Sequence, residues 1–102
     1  ALVTANHLPS LPTLVLPAFG SAVNAGATTL QWSATDSDPS DILTYDVYFG
    51  LYNPPTAEVV DNKTSTSVDV QTVALKRYYW KVVAKDNKGG QTIGQIWNFK
   101  TN

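Results

Sequence analysis

The side chains best suited to chemistry form a short acidic run, Asp36, Asp38 and Asp41, spaced by Ser and Pro. Closely spaced carboxylates, together with backbone carbonyls, make a donor set for Ca²⁺, which takes about six to eight oxygens. The run is not an EF-hand. Counting from Asp36, the sixth position is Asp41, where that loop turns on Gly, and the twelfth is Val47, where it needs Glu. The plain alternative is a solvated turn, since Asp, Ser and Pro are turn formers. Other chemistry is thinly supplied. His7 is the one imidazole, Glu58 the one Glu, and there is no Cys. A hydrolytic triad needs a nucleophile, a base and an orienting group that converge, and His7 falls in an apparent linker. Paired-carboxylate hydrolysis needs two acids across a cleft, for which a domain of this size has little room. Phosphate loops, dinucleotide fingerprints and His-based metal motifs are absent. The chain reads as non-catalytic.

Whatever these residues do, a single small domain must position them. The chain has 102 residues, too few for two self-supporting cores. Its charged share is 15%, against a usual share of about 25%. Abundant Val, Thr and aromatic residues suit pleated, half-buried surfaces, and six Gly with six Pro supply turns. Those aromatics and a net charge of −1 exclude disorder. Near-balanced charge argues against a nucleic-acid partner or an anionic membrane. No run approaches the roughly 20 apolar residues of a membrane span. The apolar opening is broken by Pro9, Pro12 and Pro17 and lacks a basic start, so it does not resemble a signal peptide. Residues 1–9 read as a linker or edge segment, and residues 10–102 as the domain. A chain that opens on Ala1 and closes just after an apolar run is expected to be part of something larger.

Alternation with period two identifies the strands. In Thr28–Ala34, Leu30, Trp32 and Ala34 share a face. In Ile42–Gly50, Leu43, Tyr45, Val47 and Phe49 share one face, and Asp46 and Tyr48 the other. In Tyr78–Asp86, Tyr78, Trp80, Val82 and Ala84 oppose Tyr79, Lys81, Val83 and Lys85, and the two lysines mark the wet side. Shorter strands are expected at Thr13–Leu16, Ala57–Val60, Thr66–Val70 and Thr92–Phe99. Turn clusters fall at Gly20–Gly26, Asp36–Asp41, Asn53–Pro55, Asp61–Ser65 and Asn87–Gly90. Seven short strands at this spacing predict an all-β fold, a seven-stranded antiparallel β-sandwich. Trp32 and Trp80 belong to its core. Tyr48 and Tyr79, on wet faces, form an exposed aromatic pair that either stacks on a sugar or protein partner or stabilises the sheet.

The pattern Leu30-x-Trp32, Tyr45-x-Val47-x-Phe49-Gly50 and Tyr78-x-Trp80-x-Val82-x-Ala84-x-Asp86-x-x-Gly89 resembles the B, C and F strands of a fibronectin type III-like domain, within the immunoglobulin-like sandwiches. Tyr-Asp-Val-Tyr-Phe-Gly, Tyr-Tyr-Trp-Lys-Val and the closing Trp97-x-Phe99-x-Thr101 give the resemblance a bacterial character over roughly residues 8–101. One position departs from it. The family carries Leu about six residues before the Tyr equivalent to Tyr78; here Thr72 stands there and Leu75 lies closer. The turn before Tyr78 is therefore expected to be short, and its tyrosine-corner bond open to question. The family's integrin-binding Arg-Gly-Asp loop is replaced by Asn87-Lys88-Gly89-Gly90.

The resemblance implies an accessory module of a secreted or cell-surface bacterial protein, such as a multidomain polysaccharide-degrading enzyme. It implies neighbouring domains of the same polypeptide as partners, a monomeric state, and a spacer role with no catalytic residues. The alternative is a carbohydrate- or protein-binding module that uses Tyr48 and Tyr79. Sandwich topology would also bring Asp86 to the end that carries Asp36, Asp38 and Asp41, as in cadherin-like domains. Those four acids are the expected Ca²⁺ ligands.

Overall fold

The computed structural model describes residues 8–36 and 42–102. Among these residues there is no helix, and nine strands form two sheets. β1 (Thr13–Leu16), β3 (Gly26–Ser33) and β6 (Ser67–Thr72) make the smaller sheet, in the order β1-β3-β6. The larger sheet runs β2-β9-β7-β4-β5, with β2 (Ala22–Val23), β9 (Trp97–Thr101), β7 (Arg77–Lys85), β4 (Thr44–Gly50) and β5 (Glu58–Lys63). β8 (Gln91–Ile93) pairs with the far end of β7.

The expected core faces are the observed ones. Val83 and Asp46, expected on wet faces, are buried as well, because they pair with each other across β4 and β7 and are covered by Ile93 of β8 and by Lys85. Leu30 and Trp32 from β3 meet Tyr45, Val47 and Phe49 from β4 and Tyr78, Trp80, Val82 and Ala84 from β7 in one buried cluster. Trp97 and Phe99 complete it from β9. Its rings divide into two groups. Trp80 lies between Trp32 and Trp97, with centroids 6.2 and 4.7 Å away and both pairs edge-on. Phe49, Tyr78 and Phe99 stack at 5.0–6.3 Å. Such offset and edge-on pairs add to the burial of ring area.

Three departures from the expected strands have local causes. The expected Thr92–Phe99 strand is broken because Gly94 presses its backbone onto β7. The Gly94 amide donates to the Val82 carbonyl at 2.8 Å, and a Cβ there would meet that oxygen at 2.6 Å. The Gly20–Gly26 turn contains β2, which runs parallel to β9 and is held by bonds from Gly20 to Asn98, Lys100 to Ser21 and Asn102 to Val23. The chain thus crosses between sheets after β1 instead of continuing along β3. Finally, Asp61–Lys63 extends β5 rather than turning. Asn62 has a φ of 54° and places its amide 2.9 Å from Asp46 Oδ1, so a side chain on β4 satisfies the irregular step.

The turn before β7 retains the tyrosine corner. Tyr78 Oη accepts a hydrogen bond from the Val73 amide at 2.8 Å. Thr72 takes the place of the missing leucine, buried and with its hydroxyl 3.2 Å from that of Thr28 and 3.1 Å from the Gly26 carbonyl. Leu75 contributes no packing: it is 83% exposed, at φ 61°. Tyr78→Phe keeps the stacked ring and strands a half-buried amide, so a loss of about 1–3 kcal/mol is expected. A urea titration that finds Tyr78→Phe as stable as the wild type would remove the corner from the list of stabilising contacts.

Candidate functional site

Two places on the sandwich gather polar groups. At one pole lie the ends of β3 and β7. Ser10 and Thr35 are tied there, with the Ser10 amide on the Thr35 carbonyl at 2.6 Å and the Thr35 amide on Ser10 Oγ at 2.8 Å. Asp86, which follows β7, is buried. Its Oδ1 accepts the amides of Lys88 at 2.9 Å and Gly90 at 2.8 Å, and its own amide donates to the Gly90 carbonyl at 2.9 Å. Asp86 thereby closes the Asn87–Gly90 turn, in which Gly89 takes a φ of 89°. Topology places Asp36 and Asp86 at this same pole, as expected. Asp38 and Asp41 lie outside the described residues, so their part of the expected Ca²⁺ set does too.

The second place is the wet face of the larger sheet. Antiparallel register sets Tyr48 opposite Lys81 and Tyr79 opposite Gly50, so the two tyrosines share a face as diagonal neighbours. Tyr48 is already engaged. Lys81 Nζ lies 5.1 Å from its ring centroid, a cation–π distance. A hydrogen bond to Glu58, the residue opposite it on β5, raises its hydroxyl above the ordinary phenol range, with burial and nearby carboxylates adding to the shift. Tyr79 is half-buried, and Gly50 across from it leaves open space above the sheet.

Beside Tyr48 lies a group that pattern reading did not single out. Carboxylate oxygens of Asp46, Glu58 and Asp61 come within 4.8 Å of one another. The arrangement has its own cation: Lys85 Nζ is 3.0 Å from Asp46 and 3.9 Å from Asp61, and it also bonds Asn62 Oδ1. Burial pushes Asp46 upward, but the Asn62 amide, Lys85 and a hydrogen bond from Asp61 outweigh it and leave Asp46 below the ordinary carboxylate range. Asp61 moves the other way, because it shares a hydrogen bond with Asp46 and faces its charge. Alternation had placed Asp46 and Lys85 on wet faces. Only the strand pairing and the Asn62 bulge bring Asp61 against them.

The opposite shifts make opposite contributions to stability. The depressed Asp46 value stabilises the fold above the ordinary carboxylate range, and that gain is lost as pH falls through its folded value. The raised Asp61 value favours the fold only while Asp61 is protonated, and that gain is lost as pH rises through its folded value. Asp61→Asn keeps a donor toward Asp46 without the charge. It is expected to raise the melting temperature at pH 7, with the gain gone by about pH 3, where the Asp61 carboxyl of the wild type is itself protonated. A thermal melt at neutral pH with Asp61→Asn below the wild type would reverse this assignment.

No protein-family model and no curated protein matches this chain. Solved structures do resemble it. The fibronectin(III)-like modules of CbhA from Clostridium thermocellum superpose with a TM-score of 0.65 at 17% identity, covering 96% of this chain and 47% of theirs. An Fn3-like protein from Clostridium thermocellum superposes at 0.62 with 24% identity, covering 92% of this chain and 94% of its own. The chain therefore spans about half the length of the first and nearly all of the second. Together with the β-sandwich, the aromatic core and the tyrosine corner, these likenesses show that the fold is that of the bacterial fibronectin type III-like domains.

Proposed function

We propose that this domain is a non-catalytic structural module, a spacer within a larger secreted or cell-surface bacterial protein. One observation carries the reading: the backbone passes through the sandwich from pole to pole. It enters at Pro9 and Ser10, where Thr92 Oγ1 donates to the Pro9 carbonyl and Ser10 is tied to Thr35. It leaves at Asn102, beside Val23, after Thr101 has bonded Lys76 at the opposite pole. The long dimension is 58 Å against 20 and 19 Å for the others. A rigid unit traversed end to end sets a distance between whatever flanks it. The two fibronectin-like neighbours from Clostridium thermocellum support a structural role of this kind.

The competing reading, a carbohydrate- or protein-binding module that uses the wet face, has a direct test. A Tyr48→Ala/Tyr79→Ala double mutant removes both rings and leaves the buried cluster intact. A spacer loses about 1 kcal/mol or less, the scale of a cross-strand pair, and changes in no other way. The engagement of Tyr48 by Lys81 and Glu58 favours this outcome. Retention of the wild-type domain on an insoluble polysaccharide, lost in the folded double mutant, would replace the spacer by a binding module.

A further inference from the structure

Among the described residues, unpaired backbone lies along the outer edges of β5 and β6, which end their sheets, and along the part of β3 that β1 leaves uncovered. The outer edge of β5 carries Glu58, Asp61 and Lys63 and is bent by the bulge at Asn62. Charges and bulges of this sort keep other strands from pairing with an edge. The edge of β3 on the β1 side has no such protection. β1 pairs with Ser33, Trp32 and Gln31 and then leaves, because after Leu16 the chain crosses to β2 on the other sheet. Among the described residues, no strand runs alongside β3 from Gly26 to Leu30 on that side.

The backbone groups left there can be identified. The Trp32 amide donates to the Thr66 carbonyl, on the β6 side. Backbone direction alternates along an antiparallel strand, so Leu30 and Thr28 also face β6, whereas Gln31, Thr29 and Ala27 face the other edge. Gln31 meets Leu16 of β1. The amide and carbonyl of Thr29 and of Ala27 are directed at the gap that β1 has left.

That gap is an open groove of about 420 Å³, walled by Leu16, Pro17, Ala18 and Val23 from the crossing segment and by Ala27 and Thr29 from the edge. A groove of this volume has room for a few residues of one strand. Ser21 Oγ, also on its lining, is buried and has no hydrogen-bond partner among the described residues. An unpaired run of backbone donors and acceptors beside an apolar wall recognises an extended peptide by strand addition. Its backbone hydrogen bonds supply affinity, and its alternate side chains face the wall.

We propose that the open β3 edge is a binding site for an extended peptide segment with small apolar side chains at alternate positions, paired to Ala27 and Thr29. This site is separate from the tyrosine face and does not depend on the spacer reading. The probe is a blocked hexapeptide, Ser-Val-Asp-Val-Gln-Thr, which copies β6, the strand that already pairs with β3 on its other side. A second version carries N-methyl groups on alternate amides. In the free ¹⁵N-labelled domain, the Ala27 and Thr29 amides are expected to exchange quickly with deuterium, while their neighbours Thr28 and Leu30 exchange slowly. Titration to millimolar peptide should shift Ala27, Thr29 and the Leu16–Val23 segment saturably and protect the two fast amides.

Ala27→Pro removes one outward-facing donor without touching a ladder bond to β6. It is expected to melt near the wild type and to weaken peptide affinity by about tenfold or more, the scale of a lost hydrogen bond with a steric block. If Ala27→Pro does not fold, the N-methylated peptide makes the same distinction on the wild-type domain. Slow exchange of Ala27 and Thr29 in the free domain, no saturable shift, or equal binding by the N-methylated peptide would each overturn the proposal. Protection of these amides that grows with protein concentration alone would assign the edge to a second copy of the chain and overturn it as well.

Discussion

Trp32→Ala is expected to cost about 3–5 kcal/mol, the range for truncating a large buried aromatic. Trp32 is 1% exposed and makes edge-on contacts with Tyr45 at 5.5 Å and Trp80 at 6.2 Å. It is the principal ring that the three-stranded sheet contributes to the cluster. Its loss opens a cavity that the pleated backbone on both sides cannot close. Domain stabilities are typically about 5–15 kcal/mol, so a large part of the folded population is at stake. The indole nitrogen has no hydrogen-bond partner among the described residues. Trp32→Phe therefore forfeits packing without stranding a polar group, and should fall between the wild type and Trp32→Ala. Urea denaturation of the three proteins checks the order. A Trp32→Ala midpoint equal to that of the wild type would mean that this ring does not join the sheets.

The second large effect is expected at Asp86. Asp86→Ala removes the acceptor of two turn amides, Lys88 and Gly90, within a buried pocket. Hydrogen bonds to a charged group contribute about 1.5–3 kcal/mol each, so a combined loss of about 3–6 kcal/mol is expected, with fast exchange of the Lys88 and Gly90 amides. Asp86→Asn keeps one side-chain oxygen in place and should lose about 1 kcal/mol, as a neutral acceptor replaces a charged one. Equal destabilisation by Ala and Asn would shift the weight from the turn amides to the carboxylate charge itself. Calcium provides a second arm. Superimposable melts in chelator and in millimolar Ca²⁺ leave Asp86 with its turn alone. A Ca²⁺-dependent rise, lost in Asp86→Ala, would add the metal role expected from Asp36, Asp38 and Asp41; for a ligand at one hundred times its Kd, that rise corresponds to about 2.7 kcal/mol.

The candidate sites were unequally legible. That Tyr48 and Tyr79 share one wet face followed from counting alternate positions, because side-chain direction in a strand repeats every two residues. What each ring faces did not follow, since partners are set by register between strands. Lys81 lies across from Tyr48, and Glu58 reaches it from the other side. Topology led to the expectation of Asp86 at the pole of Asp36, but its bonds to Lys88 and Gly90 depend on how the turn closes. The acid–lysine group of Asp46, Asp61 and Lys85 has no signature in the chain. Its members lie on three strands, and Asp61 was expected in a turn.

Sequence alone determined the layers and the core face of each main strand. These are local consequences of alternation and of the cost of leaving large apolar rings in water, so Leu30, Trp32, Val47, Trp80 and Val82 could be assigned without any pairing. Burial of Val83 and Asp46 on the other face came from strand pairing. Sequence did not settle the tyrosine corner, since Thr72 departs from the family pattern; the folded turn did, because the bond needs only the Val73 backbone and the Tyr78 hydroxyl. Tertiary structure alone decided where a strand stops. The break at Gly94 comes from close approach to Val82, the β5 bulge from an Asp46 oxygen, and the crossing after Leu16 from β2 pairing in parallel with β9. Each depends on a partner distant in the chain, and period-two counting contains no term for such a partner. The same crossing leaves the Ala27 and Thr29 backbone open, since an edge exists only once every strand has chosen its neighbour.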